Sequence, residues 1–229
     1  MMSPAEALIA AVTADDAEQV ARLLDEDPTL AMTRDRDGVS VIMRSRYRFD
    51  RATTDALLAV DPELDVFEAT ALGYLDRLRE RLDEDPGRAT AFSPDGFTAL
   101  HFAAFFGKAE AASTLIEAGA EVNVFSQNDL QVEPLHSAAA GRHHEVCRVL
   151  IAAGADVNAR QRHDYTPLHA AAQHGDDELV ELLLSAGADP SAVNDDRNTP
   201  ADTADAAGHP DVARRLRDVA ADRSAASPG

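Results

Sequence analysis

One spacing limits this chain more than any other property. His136 and His169 stand 33 apart in the chain, as do Thr166 and Thr199, and Gly154 and Gly187. His101 and His136 are 35 apart, which places a two-residue insertion in the connection 125–132. A fixed period of this size marks a chain that stacks copies of one small unit, each unable to bury its apolar face alone. The unit is plainest over 165–189. Thr166 is a good N-cap, and Pro167 suits the first helical position, where its missing N–H costs nothing. Leu168, Ala171 and Ala172 then make an apolar face whose small side chains admit a close neighbour. Gly175 stops this first helix by supplying a left-handed residue. A second helix follows over 178–185, with Leu179, Val180, Leu182, Leu183 and Leu184 apolar, and Gly187 breaks it.

Three stretches carry a family resemblance: Thr166-Pro167-Leu168-His169-Ala170-Ala171, Thr98-Ala99-Leu100-His101-Phe102-Ala103 and Pro134-Leu135-His136-Ser137-Ala138-Ala139. They closely resemble ankyrin repeats, whose signature is T-P-L-H-x-A at a period near 33. The resemblance implies an all-α, ankyrin-repeat solenoid of stacked helix–turn–helix units with short hairpin-like turns. It further implies that His101 and His169 bridge the Thr hydroxyl and a neighbouring backbone group. His136 has Glu133 where the Thr belongs, which leaves its bonding open.

The N-terminal half follows the same frame less regularly. Helices are expected over 7–13 and 17–24, and Asp25-Glu26-Asp27-Pro28 stops the second, since Pro cannot continue it. Leu82-Asp83-Glu84-Asp85-Pro86 repeats that stop, with Pro28 and Pro86 58 apart, and Asp37-Gly38 and Asp95-Gly96 share that interval. The interval is shorter than two full periods, so one of the two units it spans is shortened. That unit is expected at 39–62, with a clipped second helix over 53–60. Seven units result, at 4–34, 38–62, 65–92, 96–124, 132–159, 165–193 and 198–221, in a single domain spanning 1–229. The last has Ala201-Asp202 in place of Leu-His and a polar second helix, as expected of an end cap. Residues 222–229 are expected to form a disordered tail.

Composition narrows the function classes. There is no Trp and aromatics make up 5% of 229 residues, so Ala, Leu and Val must fill the core, which suits closely packed helices. The net charge of −20 repels phosphate backbones and argues against nucleic acid as a partner. Lys108 is the one lysine beside 20 arginines, a bias suggesting a GC-rich prokaryotic source. No stretch approaches 18 consecutive apolar residues and no signal-peptide pattern opens the chain, so a cytoplasmic protein without a membrane partner is expected.

The residues that could carry chemistry have plainer readings. Cys147 sits in Val146-Cys147-Arg148 within a helical pattern and reads as core, although His143 lies four residues before it. His143 and His144 point in different directions from a helix, and no Cys/His spacing fits a zinc site. Asp176-Asp177 and Asp195-Asp196 read as solvated turn or helix-start carboxylates. No phosphate-binding glycine loop is present. The expectation is a non-enzyme with no cofactor and no metal; a metal-dependent enzyme is the remote alternative.

Function then falls to the surface. By resemblance, the two positions before each helix-ending residue contact partners: Tyr47 and Arg48, Ala71 and Leu72, Phe105 and Phe106, Gln173 and His174. Phe97 and Tyr165, just before the cap Thr residues, are further candidates. Phe105 and Phe106 cannot both face one helix's core, so they read either as an exposed anchor or as packing into the next unit. Ala140 and Gly141 beside them predict a shallow depression. Arg34, Arg36, Arg44, Arg46, Arg48 and Arg51 read either as a patch for an acidic partner or as internally paired charges. The expected role is a regulatory or scaffolding module binding an unidentified protein, with a monomer favoured. The alternative is a dedicated acidic inhibitor or immunity-type protein for a basic enzyme.

Overall fold

The computed structural model describes residues 2–226. Fourteen α-helices occupy them and, among the described residues, no strand does; β-type pairing is confined to isolated bridges such as Arg34 with Ser40 and Gln161 with Tyr165. The fold is all-α, as the resemblance implies. The chain divides into two compact units, one ending at Ala99 and the other beginning at Leu100.

In the first unit α1 (Pro4–Thr13) pairs with α2 (Ala17–Glu26), α3 (Val41–Tyr47) with α4 (Arg51–Leu58), and α5 (Val66–Leu72) with α6 (Leu75–Glu84). First helices stack on first helices, α3 between α1 and α5, while α4 packs on α2. The second unit repeats the pattern. Its helices are α7 (Ala99–Phe105), α8 (Ala109–Glu117), α9 (Pro134–Ala140), α10 (His144–Ala152), α11 (Pro167–Gln173), α12 (Asp177–Ser185), α13 (Pro200–Ala206) and α14 (Pro210–Ala226). There α11 lies between α9 and α13, and α10 between α8 and α12.

The period becomes packing through rows of identical positions. Leu100, Leu135 and Leu168 are fully buried on successive first helices, and Leu115, Leu150 and Leu183 on successive second helices. Each such leucine contributes about 1.5–3 kcal/mol of burial. Ala201 and Leu216 continue both rows into the last pair. Cys147 belongs to this core and is fully buried.

The short repeat is shortened elsewhere than in its helix. α4 keeps 8 residues against the 9 of α8. What is missing is a finger: α2 and α6 are followed by 3-10 turns at Pro28–Met32 and Pro86–Ala89, each capped by an Asp, but α4 leads straight to the Asp65 cap of α5. Nor is the tail unstructured from 222, because α14 continues to Ala226. The remaining residues of that expected tail, 227–229, lie outside the described residues.

One capping device recurs with different side chains. The third residue of a first helix reaches back to the N–H of its N-cap, satisfying one of the free donors at the helix start. Glu6 does so to Ser3 (2.8 Å), Glu68 to Asp65 (2.8 Å) and Asp202 to Thr199 (3.0 Å). In α9 and α11 of the second unit imidazoles take the place of carboxylates. The Glu133 N–H donates to His136 Nδ1 (3.2 Å), and the Thr166 N–H to His169 Nδ1 (3.3 Å), with the Thr166 hydroxyl 2.8 Å from the same nitrogen. The far nitrogen, Nε2, meets a carbonyl of the following connection: Val132 for His101 (2.9 Å), Ala159 for His136 (2.9 Å) and Asn198 for His169 (3.1 Å). His136 thus makes both bonds without the Thr, using backbone alone.

Candidate interaction surface

Each first helix ends on a left-handed residue, and the expected contact positions lie just before it. Gly73, Gly107, Gly175 and Gly208 supply that conformation in four pairs, but Asp15, Phe49 and Arg142 supply it in the other three. Non-glycine residues there are strained, an aromatic most of all. Arg142 is held by the next pair, its Nε 2.9 Å from Asp176. Asp176 is correspondingly buried, N-caps α12 through the Leu179 N–H (3.2 Å) and takes His144 Nε2 at 2.8 Å. It is a bond between repeats, not the solvated turn carboxylate expected.

In the first unit, Tyr47 and Arg48 line a cleft of about 280 Å³ between α1 and α3, with Ile9, Val12, Val41 and Arg44. The Tyr47 hydroxyl donates to Asp95, and burial together with that carboxylate pushes its pKa well up. Arg48 chelates Asp15 through two nitrogens and lowers the Asp15 pKa by that bond. Leu72 is half-buried at the end of α5, and Ala71 is buried. Phe97 is half-buried in a turn, its N–H 3.1 Å from Ser93 Oγ.

The arginine-rich segment largely neutralises itself. Arg34 pairs with Asp65, Arg44 with Asp35 and Asp37, Arg48 with Asp15 and Arg51 with Asp55. Arg46 is half-buried, its guanidinium 3.4 Å from the Ala71 carbonyl. Those geometries match the internal-pairing reading of the sequence.

In the second unit the two adjacent phenylalanines divide the roles between them. Phe106 is buried, Phe105 is 41% exposed, and their rings meet edge-on with centroids 4.9 Å apart. His143 pins the position from the next repeat: its Nε2 is 3.1 Å from the Phe105 carbonyl, and its ring lies where a side chain on Gly107 would stand, 2.6 Å from an ideal Cβ. The same ring lies 2.5 Å from a Cβ placed on Gly141, so the Gly141-Arg142 order, which looks displaced in sequence, clears space for His143. Along the first helices Phe105, Ala140, Gln173 and Ala206 form an exposed row. Gln173 accepts from the Tyr165 hydroxyl at 2.6 Å, while His174, also exposed, caps α11. Of the expected residues the structure therefore joins Tyr165 to Gln173 and Phe105 to Phe106.

Several exposed side chains carried no signal at that register. Phe49 is 67% exposed at its left-handed position, and Phe125, Leu130 and Val193 stand on turns of the second unit. The turns enclose a cleft of about 530 Å³, lined among others by Phe125, Arg160, Arg162, His163, Asp164 and Asp195. Charge gives no preference between units, since 1–99 carry 11 basic and 21 acidic residues and 100–229 carry 10 and 20.

Nucleophilic chemistry finds no poised thiol. Burial, with the Asp176 charge adding, pushes the Cys147 pKa up to about 12, which keeps it a thiol. Among the described residues no three His, Cys, Asp or Glu side chains converge where a metal could sit, and no helix is long and apolar enough to cross a membrane.

A family model described as ankyrin repeats (3 copies) matches residues 66–161, 123–194 and 160–225. The chain belongs to the ankyrin-repeat family. Ankyrin repeats generally serve as protein–protein interaction modules and are typically non-enzymatic. A comparison with curated proteins gave no match. The first two helix pairs of this ankyrin-repeat chain precede the matched span, yet they keep its geometry: a Ser N-cap at Ser3 and Ser40, and a left-handed stop at Asp15 and Phe49. Sequence alone did not reveal Asn123 and Asn158, whose amides tie successive turns. Each Asn carbonyl oxygen accepts from a backbone N–H, of Asp156 (2.9 Å) or Asp189 (2.7 Å), and each amide donates to a glycine carbonyl, of Gly154 (3.0 Å) or Gly187 (3.2 Å). Their spacing, equal to that of His101 and His136, was the available signal.

Proposed function

We propose that this chain is a non-catalytic module that binds a protein partner through the exposed first-helix row of its second unit, in a regulatory or scaffolding role. The observation that carries the reading is Phe105. It is a large aromatic, 41% exposed, whose ring is braced by Phe106 and whose carbonyl is held by His143. A rigid exposed aromatic next to small neighbours, here Ala140, is the usual form of a binding anchor, because little side-chain entropy remains to be lost on docking. Gln173 and His174, one repeat further on, extend the row with polar groups. A photo-crosslinking amino acid placed at 105, at 173 and, as a control, at Glu110 on α8 tests the reading in cells. The expected result is one discrete adduct from 105 and 173 with none from 110. Adducts of equal yield from all three positions, or from 110 alone, refute it.

A second reading is favoured by one observation, the even excess of ten acidic groups in each unit. An acidic inhibitor of a basic enzyme would use that charge to speed association, so its on-rate would fall steeply with salt. A partner captured at 105 whose on-rate is flat in salt excludes this version.

A further inference from the structure

All eight histidines of the chain lie between 101 and 209, and residues 1–99 contain none. Three of them link the repeats of the second unit, and two, His136 and His169, do so in a form that only a neutral imidazole can supply. In His136 and His169 Nδ1 accepts from the N-cap N–H, so the ring proton must sit on Nε2, where it donates to the Ala159 or Asn198 carbonyl. His101 directs Nε2 in the same way at Val132. A second proton would set an N–H against the cap N–H and break the helix start and the link to the next repeat together. The first unit does the same capping with Glu6 and Glu68, which face no such conflict.

We propose that His101, His136 and His169 form an acid-released latch, so that mild acid loosens the repeats of residues 100–229 before those of residues 1–99. The surroundings do not rescue the charged form. His101 and His136 repel one another and Arg160 opposes charge on His169; the Tyr165 ring, 4.9 Å from that of His169, favours a charge there, yet burial keeps His169 lowered. Asp156 favours a charge on His136, but burial dominates and holds both His101 and His136 at about 4, with His169 also lowered. Their unfolded counterparts titrate near 6.5. Between those values the unfolded chain binds more protons, so stability is present above pH 6.5 and is lost as pH falls toward 4. At pH 5 each of His101 and His136 weakens folding about thirtyfold. Glu133 works the other way. Raised to about 7, it is protonated early in the fold and returns about fiftyfold over the same range. The balance is a loss of about tenfold or more, to which His169 adds.

In the first unit the signs differ. Burial, with the Asp65 charge adding, raises Glu68, which therefore gains on acidification, while Glu6 and Asp15 are lowered and lose only below the ordinary carboxylate range. Hydrogen–deuterium exchange of the full chain, read by mass spectrometry at pH 7.5 and 5 and corrected for intrinsic rates, tests the latch. Protection in α9–α13 should fall about tenfold or more, while protection in α1–α6 holds or rises. A parallel loss in both units, or no loss in either, overturns the proposal. Replacing His101, His136 and His169 together by Gln should reverse the slope, leaving the Glu133 gain. If that variant does not fold, imidazole nitrogen NMR of the unaltered chain decides instead. Three rings still neutral and protonated on Nε2 at pH 5.5 support the latch, and titration near 6.5 in the folded protein overturns it.

Discussion

Glu133 stands where its neighbouring repeat has Thr166, and replacing it with Thr should stabilise the chain in a pH-dependent way. The carboxyl is buried at 4% exposure, and its Oε2 finds no hydrogen-bond donor among the described residues. Burial, with the Asp156 charge adding, lifts its pKa from the ordinary 4.5 to about 7. For an acid raised in this way the penalty falls on the charged form of the fold. It is absent below pH 4.5, grows as pH rises, and is complete above pH 7. A shift of that size corresponds to a ceiling of about 3 kcal/mol. Thr166 shows what the replacement provides: its hydroxyl lies 2.8 Å from His169 Nδ1 and accepts the His169 N–H at 3.4 Å. Glu133→Thr should therefore gain about 1–3 kcal/mol at pH 8 and only about 0.5 kcal/mol, the worth of a better cap, at pH 4.5. Urea unfolding followed by circular dichroism at 222 nm, at both pH values, measures this. A gain equal at the two pH values, or a loss at pH 8, refutes the reasoning, since either result means that the fold does not raise the Glu133 pKa.

Other perturbations separate strain, packing and exposure. Phe49→Gly should raise stability by about 1 kcal/mol by relieving a left-handed aromatic whose ring is already largely in solvent; an unchanged or lower urea midpoint would count against strain at that position. Phe106→Ala should cost about 3 kcal/mol while Phe105→Ala costs less than about 1 kcal/mol, and equal costs in thermal unfolding would contradict the division between packing and exposure. Gly107→Ala meets both a left-handed backbone and the His143 ring, whereas Gly154→Ala meets the backbone alone, with nothing within 4 Å of its Cβ. The first should cost at least about 1 kcal/mol more than the second, and His143→Ala should erase the difference.

The helix pairs were legible because their signals are local and repeated. Thr or Ser before Pro or Val, a run of small apolar residues, and a left-handed stop recur in register, and the fully buried leucine rows at 100, 135 and 168 follow that same register. What escaped was set between repeats. The need for glycine at 141 comes from a ring at 143 pressing on it, and the burial of Asp176 comes from Arg142 and His144 one repeat earlier. No window of a single unit contains both partners of such a bond. The shortened repeat hides its deletion for a related reason. Asp-Pro stops report where a second helix ends, but the missing finger after α4 leaves only a changed spacing, 33 from Leu24 to Leu57 and 25 from Leu57 to Leu82. The surface candidates at helix ends sit just before each stop, while Phe97 and Tyr165 precede caps, yet exposure differs among them, from buried Phe106 to exposed Gln173.

The choice between carboxylate and imidazole at the third helical position carries information about the next repeat. Either group can accept the N-cap N–H, so capping alone does not explain why His101, His136 and His169 are histidines. Only imidazole offers a donor on its far side, and in each case that donor is used, on a carbonyl of the next connection at 2.9–3.1 Å. Asp202, in the pair α13–α14, meets no later connection among the described residues; its second interaction is with Arg217 of its own partner helix, at 3.2 Å. Substituting His for Asp202 would thus place a donor with no carbonyl to meet among the described residues and remove a charge pair, whereas Asp for His169 would keep the cap and lose the bond to Asn198. The two exchanges, though chemically reciprocal, should be unequal in kind. The first should loosen only the α13–α14 pair, and the second should loosen the junction between α11 and α13, visible as faster amide exchange at 194–204 with the start of α11 still protected.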